Sequence, residues 1–113
     1  MSKDLLKKKC VACEGKGMKP LNKEEAFSLM EQLEGWNIDE GFKIIFKEYK
    51  FKDFIGATNF VNKVAEIAEE EGHHPDIHIF YNKVVLELTT HAIKGLSGND
   101  FIVAAKIDAH NKL

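Results

Sequence analysis

Four of this chain's five histidines fall in one stretch, EEGHHPDIHIFYNKVVLELTTHA, between Glu70 and Ala92. His73 and His74 are adjacent, and His91 closes the stretch. An unperturbed imidazole titrates near pH 6.5 (about), so neighbouring rings can donate and accept protons at neutral pH. General acid–base chemistry is therefore the favoured reading of the cluster. Two others stay open. Neutral imidazoles ligate zinc, but adjacent residues rarely aim both rings at one ion. No His-x-x-x-His spacing lies where a helix is predicted, and Pro75 interrupts the run from His73 to His78. The histidines could also be solvated at a loop.

A second motif is CVACEGKGM, in which Cys10 and Cys13 sit three apart. Two thiolates and a tight glycine turn make half of a zinc site, whereas structural zinc usually takes four protein ligands. The chain has no second cysteine pair. A redox pair would open a helix after a strand, and this one lies in a Lys- and Gly-rich lead-in. An inert segment is the favoured reading, with metal binding by Cys10 and Cys13 a weaker alternative.

The elements that must position these residues follow from caps and periodicity. NKEEAFSLMEQLEG offers Asn22 as an N-cap with Glu25 three residues on, a reciprocal cap, and Gly35 as the stop. Trp36 to Phe51 reads as two short strands with Gly41 in the turn and Phe42, Ile44 and Phe46 alternating. A second helix starts after Asp53, carries Phe54, Ala57, Val61, Val64 and Ala68 as its stripe, and ends at Gly72. Two more strands precede a third helix that Ser97 caps, with Asp100 at its third position and Phe101, Ala105 and Ala109 toward the core. The order α-β-β-α-β-β-α gives an α+β fold, a four-stranded antiparallel sheet with three helices packed on one face. Residues 1–19 form the Cys-x-x-Cys-containing lead-in and 20–113 the domain.

In the second hairpin the turn is expected at Asn82-Lys83, which would place His74 opposite His91. Glu69 lies one helical turn before His73, so three imidazoles and a carboxylate would meet at the hairpin mouth. A slip of one residue would turn alternate side chains to the other face.

Composition excludes several classes. A chain of 113 residues with formal net charge -2 has no bulk attraction to nucleic acid or to anionic membranes. No apolar run reaches the roughly 20 residues of a membrane span, and MSKDLLKKKC lacks the apolar core of a secretory signal. A cytoplasmic location is the expectation.

The stretch EEEGHHPDIHIFYNKVVLELTTHAIKGLSGND, Glu69 to Asp100, resembles the pterin-4a-carbinolamine dehydratases. The matching residues are Glu69, His73-His74-Pro75, Tyr81-Asn82-Lys83-Val84, Thr90-His91 and Gly95-Leu96, and the likeness extends upstream through Trp36 and FKDFIGATNFVNKVA. The resemblance implies dehydration of 4a-hydroxytetrahydropterin to quinonoid dihydropterin, in tetrahydrobiopterin recycling and without metal or organic cofactor. By the same resemblance His73 and His91 are the acid–base pair, with His74 catalytic or holding substrate. Glu69, His74, Pro75, Thr89, Thr90 and His91 form the substrate-binding set, the threonines through their backbone. His78 matches no family histidine and reads as structural, and His110 as solvated. The chain departs from many relatives at Gly72, where they carry Asp or Asn, and at Ile77, where they carry an aromatic residue. Implied partners are the pterin, further copies of the chain in a dimer or tetramer, and an aromatic amino acid hydroxylase as functional neighbour. Some relatives also act as binding proteins through their helical face, which is the alternative function.

Overall fold

The computed structural model describes residues 19–111 together with Leu5. Cys10 and Cys13, with the metal and redox readings attached to them, lie outside these residues.

The first helix, α1, spans Lys23–Met30. Asn22 Oδ1 accepts from the Glu25 backbone N–H at 2.8 Å and Glu25 Oε1 accepts from the Asn22 N–H at 2.9 Å, the reciprocal cap expected. The helix stops short of Gly35. The N–H groups of Gln32 and Leu33 turn back only three residues, to Leu29 and Met30, a tightening usual at helix ends. Gly35 is left-handed (φ 79), but in the link that delivers Trp36 to the core.

Two strands follow, β1 (Asn37–Ile38) and β2 (Ile45–Lys50). In the turn between them Asp39 Oδ1 accepts from the N–H groups of Lys43 at 2.7 Å and Ile44 at 2.9 Å. Its left-handed residue is Phe42 (φ 56). The buried face of β2 is Ile45 and Tyr49, so Phe46 lies half-buried on the other side.

Helix α2 runs Phe54–Glu71, capped by Asp53, whose carboxylate accepts from Gly56 N–H at 2.8 Å. Its buried face is Ala57, Phe60, Val64, Ala68 and Glu71. The expected stripe is thus rotated: Phe60 enters the core beside Tyr49 and Phe51, and Phe54 remains exposed. Gly72 ends the helix in the left-handed region (φ 70). The N–H groups of Gly72 and His73 both close on the Ala68 carbonyl, at 2.8 and 3.2 Å.

Strands β3 (Asp76–Phe80) and β4 (Lys83–Leu88) form the second hairpin, and the sheet order is β1-β2-β4-β3, antiparallel throughout. Asp76 pairs with Glu87 and Phe80 with Lys83, so the turn is Tyr81-Asn82 and not Asn82-Lys83. The cause is on the other side of β4: Lys83 also pairs with Lys50 of β2, which holds it inside the strand. Continued outward, the observed register would set His74 against Thr89 rather than His91. After β4 the chain makes a short 3-10 turn, His91–Ile93, and then α3, Gly98–Asn111.

All three described helices pack on one face of the sheet, as expected for this element order. The core joins Ile45, Tyr49, Val84, Leu86 and Leu88 from the sheet to Ala57, Phe60, Val64 and Phe101 from the helices. Helix α3 is nearly enclosed, with residues 99–105 and Ile107 buried, as expected of a helix apolar on most sides. Near its end Asp108 accepts from Trp36 Nε1 at 2.7 Å, Tyr49 Oη at 2.7 Å and Lys47 Nζ at 3.1 Å. Burial and the adjacent carboxylate push the Tyr49 phenol far above its ordinary range. Lys106 Nζ donates to Glu71 Oε2 at 2.5 Å, tying the end of α2 to α3. Among the described residues no helix is long and apolar enough to cross a membrane.

Candidate active site

His73 is placed by the end of α2. Its backbone N–H is spent on Ala68, and its ring points inward, with the side chain 12% exposed. His73 Nε2 lies 2.6 Å from Oδ1 of Asp100, whose side chain is fully buried at the start of α3. The other carboxylate oxygen, Oδ2, accepts from the Ser97 N–H at 3.0 Å and from Thr90 Oγ1 at 2.8 Å. Ser97 caps α3 as expected, its Oγ accepting from Asn99 N–H at 3.3 Å, and it also meets Thr90 Oγ1 at 2.8 Å.

Thr90 is the root of the turn that carries His91. Its backbone N–H donates to the Gly95 carbonyl at 2.9 Å and its carbonyl accepts from the N–H groups of Ile93 and Gly95. The Thr90 backbone is thus committed within the turn. Thr89 Oγ1 donates to the Lys43 carbonyl at 2.6 Å, joining the same end of β4 to the β1–β2 turn. Lys94 takes the left-handed conformation (φ 57) that lets the chain reverse. Space there is tight: a Cβ on Gly95 would come within 2.7 Å of Pro20 Cβ. His91 itself is exposed, and among the described residues no side chain hydrogen-bonds its ring.

His74 projects outward, 57% exposed, with Nε2 2.6 Å from Glu69 Oε2, itself 78% exposed. Glu69 therefore pairs with His74 rather than with the histidine one helical turn on. An exposed pair of this kind is worth only about 0–1 kcal/mol, so it orients a ring more than it stabilises the fold. Pro75 separates it from β3. His78 pairs with Val85 on the sheet face turned away from the helices, and its Nε2 is 3.3 Å from Glu87. His110, exposed near the end of α3, lines an open cavity of about 570 Å³ with Phe51 and Phe60 that none of the predicted site residues border.

From its place in the sequence Asp100 reads only as part of a cap. A signal was present. The residues after it, Phe101 to Ala105, are apolar without a break, so a carboxylate opening that helix must be buried. A buried carboxylate needs donors. The arrangement supplies one enclosed imidazole oriented by a carboxylate, and two imidazoles open to solvent. That is equipment for proton transfer to and from a bound molecule. Among the described residues no group of three or more His, Cys, Asp or Glu side chains is placed to hold a metal ion.

Comparison with known proteins points to one family. The family model described as Pterin 4 alpha carbinolamine dehydratase matches residues 19–110. A protein of Nitrosospira multiformis, provisionally named a pterin-4-alpha-carbinolamine dehydratase, is 55% identical over 105 residues, covering 93% of this chain and 90% of the relative. The mitochondrial pterin-4-alpha-carbinolamine dehydratase 2 of Arabidopsis thaliana is 42% identical over 108 residues, covering 93% of this chain and 58% of the relative. Among solved structures, a transcriptional coactivator/pterin dehydratase from Brucella melitensis superposes with a TM-score of 0.76 at 34% identity, covering 80% of this chain and 97% of that one.

Proposed function

Because the chain belongs to the pterin 4 alpha carbinolamine dehydratase family of hydro-lyases, we propose that it dehydrates a 4a-hydroxytetrahydropterin with its own histidines as acid and base. The reaction is a 1,2-elimination. A base takes the N5 proton, the freed electron pair forms the N5–C4a double bond, and the C4a–O bond breaks as an acid protonates the departing hydroxyl to water. The products are quinonoid dihydropterin and water.

His73 and His91 are the acid–base pair in this reading, and the observation that carries it is their shared support. The Asp100 carboxylate holds the His73 ring at 2.6 Å and, through Thr90, the root of the His91 turn at 2.8 Å. Two groups that must act on adjacent atoms of one substrate benefit from a common rigid anchor. His74, paired with Glu69 in the open, is suited to contact the pterin or the leaving hydroxyl, and Pro75 and Thr89 complete the substrate-binding set in this reading. Positioned acid–base groups supply about 10²–10⁴-fold in rate.

The reading extends to tetrahydrobiopterin recycling beside an aromatic amino acid hydroxylase, in the cytoplasm and as a homodimer or homotetramer. A second reading, docking on a partner through the helical face, draws support from the coactivator function in the Brucella protein's name. The exposed Phe54 and Ile55 at the start of α2 favour it too.

The deciding experiment follows dehydration of enzymatically generated 4a-hydroxytetrahydropterin by ultraviolet absorbance in metal-free buffer. Wild type should accelerate it, and folded His73→Ala and His91→Ala should lose about 10²-fold or more. Folded wild type with no acceleration would refute the proposal and leave the docking reading.

A further inference from the structure

We infer that Glu71 and Lys106 are a positioning pair, which fixes the end of α2 along α3 and thereby sets where the His73 ring can reach. The kinetic consequence rests on the dehydratase reading, whereas the geometric claim does not.

Glu71 is the last residue of α2, and its side chain is only 1% exposed. Lys106 of α3 donates to its Oε2 at 2.5 Å and is itself 20% exposed. Taking two charges out of water is costly, and a packed apolar pair of similar volume is often as stable or more so. An apolar pair would suit the surroundings. The buried residues one turn back are Ala68 on α2 and Ile102 and Val103 on α3, and Ile107 follows Lys106. What the ion pair adds is direction. Apolar burial is non-directional, so two apolar helix faces can settle at more than one offset. A hydrogen-bonded ion pair at this distance admits one.

His73 needs that single offset. Between it and Glu71 stands Gly72, left-handed (φ 70), with no atom within 4 Å of the place a Cβ would take. Glycine has the widest backbone freedom of any residue, and no neighbour packs against this one's open side. The path of the chain toward His73 must therefore be held from both ends of the glycine. Before it, Glu71 is tied to Lys106; after it, His73 Nε2 lies 2.6 Å from Asp100 Oδ1. Both tethers end on α3, at residues 100 and 106, about 9 Å apart along the axis. Slippage of α2 by one residue's rise, about 1.5 Å, would carry the His73 contact beyond hydrogen-bond range.

The test is Glu71→Leu combined with Lys106→Met, which replaces the pair by apolar side chains of similar size. If the pair only holds the fold together, activity should survive wherever stability does. Positioning predicts a urea midpoint at or above wild type, with kcat lower by about tenfold or more and KM within about threefold. Lys106→Arg keeps a charged donor and should stay within about threefold of wild type in kcat. Amide hydrogen exchange reads the helix end without reference to activity. The His73 N–H, which closes on the Ala68 carbonyl, should exchange about tenfold faster in the double variant, while amides inside α2 keep their wild-type rates. Wild-type kcat together with unchanged His73 exchange overturns the inference. Equal acceleration along the whole of α2 overturns it too, since that reports general loosening. Should the double variant not fold, Lys106→Met alone, at a partly exposed position, is read in the same two ways. A wild type that does not dehydrate the pterin refutes the functional reading instead, and the exchange rates still decide the pair's role.

Discussion

Gly95 lies where two distant parts of the chain press together, and replacing it by alanine tests whether that packing shapes the His91 turn. The added Cβ would sit 2.7 Å from Pro20 Cβ and 3.2 Å from Pro20 Cγ, against an ordinary contact of 3.4–4 Å. The surfaces must part by roughly 1 Å, yet both are pinned. Leu21 N–H donates to the Leu96 carbonyl at 2.8 Å on one side, and Thr90 N–H donates to the Gly95 carbonyl at 2.9 Å on the other. Overpacking of this kind costs about 1–3 kcal/mol. Urea unfolding of G95A should show a loss in that range with an unchanged slope, and dehydration should slow as the His91 turn is displaced. The atom at fault is a Cβ, so Pro20→Gly in the G95A background should recover most of the loss. Pro20→Ala, which keeps a Cβ in place, should not. G95A as stable as wild type, or equal rescue by both Pro20 variants, would refute the reasoning.

Asp108→Ala should be more damaging than its place near the end of α3 suggests, because it strands the buried Trp36 and Tyr49 donors. At about 1–3 kcal/mol for each unsatisfied buried group, a loss of roughly 3–4 kcal/mol is expected by urea titration, and Tyr49→Phe in that background should return part of it. Asp39→Ala should cost about 1 kcal/mol at pH 7 through the lost donors of Lys43 and Ile44. Burial raises the Asp39 carboxyl, but those backbone N–H groups outweigh it and hold the group below the usual carboxylate range. A depressed folded-state value means that the contribution is complete above the unfolded value of about 3.9 and lost as pH falls through the folded one. The gap between wild type and D39A should therefore close on acidification, as measured by unfolding between pH 7 and 2, and a gap that widens instead would contradict the assignment.

What the sequence determined is what backbone geometry decides within a turn or two. The caps at Asn22, Asp53 and Ser97 and the stop at Gly72 each depend on residues no more than four or five apart, and each forms as read. The element order follows from those punctuation marks, and the fold class from that order. Tertiary structure alone decided which of several locally equivalent choices was taken. The β3–β4 turn moved by one residue because β2 held Lys83 in the sheet from its far side. Helix α2 turned Phe60 rather than Phe54 inward because Tyr49 and Phe51 were there to receive it. Glu69 met His74 because Gly72 turned the chain and His73 was drawn toward α3. Asp100 looked like one more capping residue until the packing of α3 against the end of α2 brought a histidine to its second oxygen. A local pattern shows which hydrogen bonds a residue can make nearby. It cannot show which partner arrives from elsewhere once the core has closed and water has left.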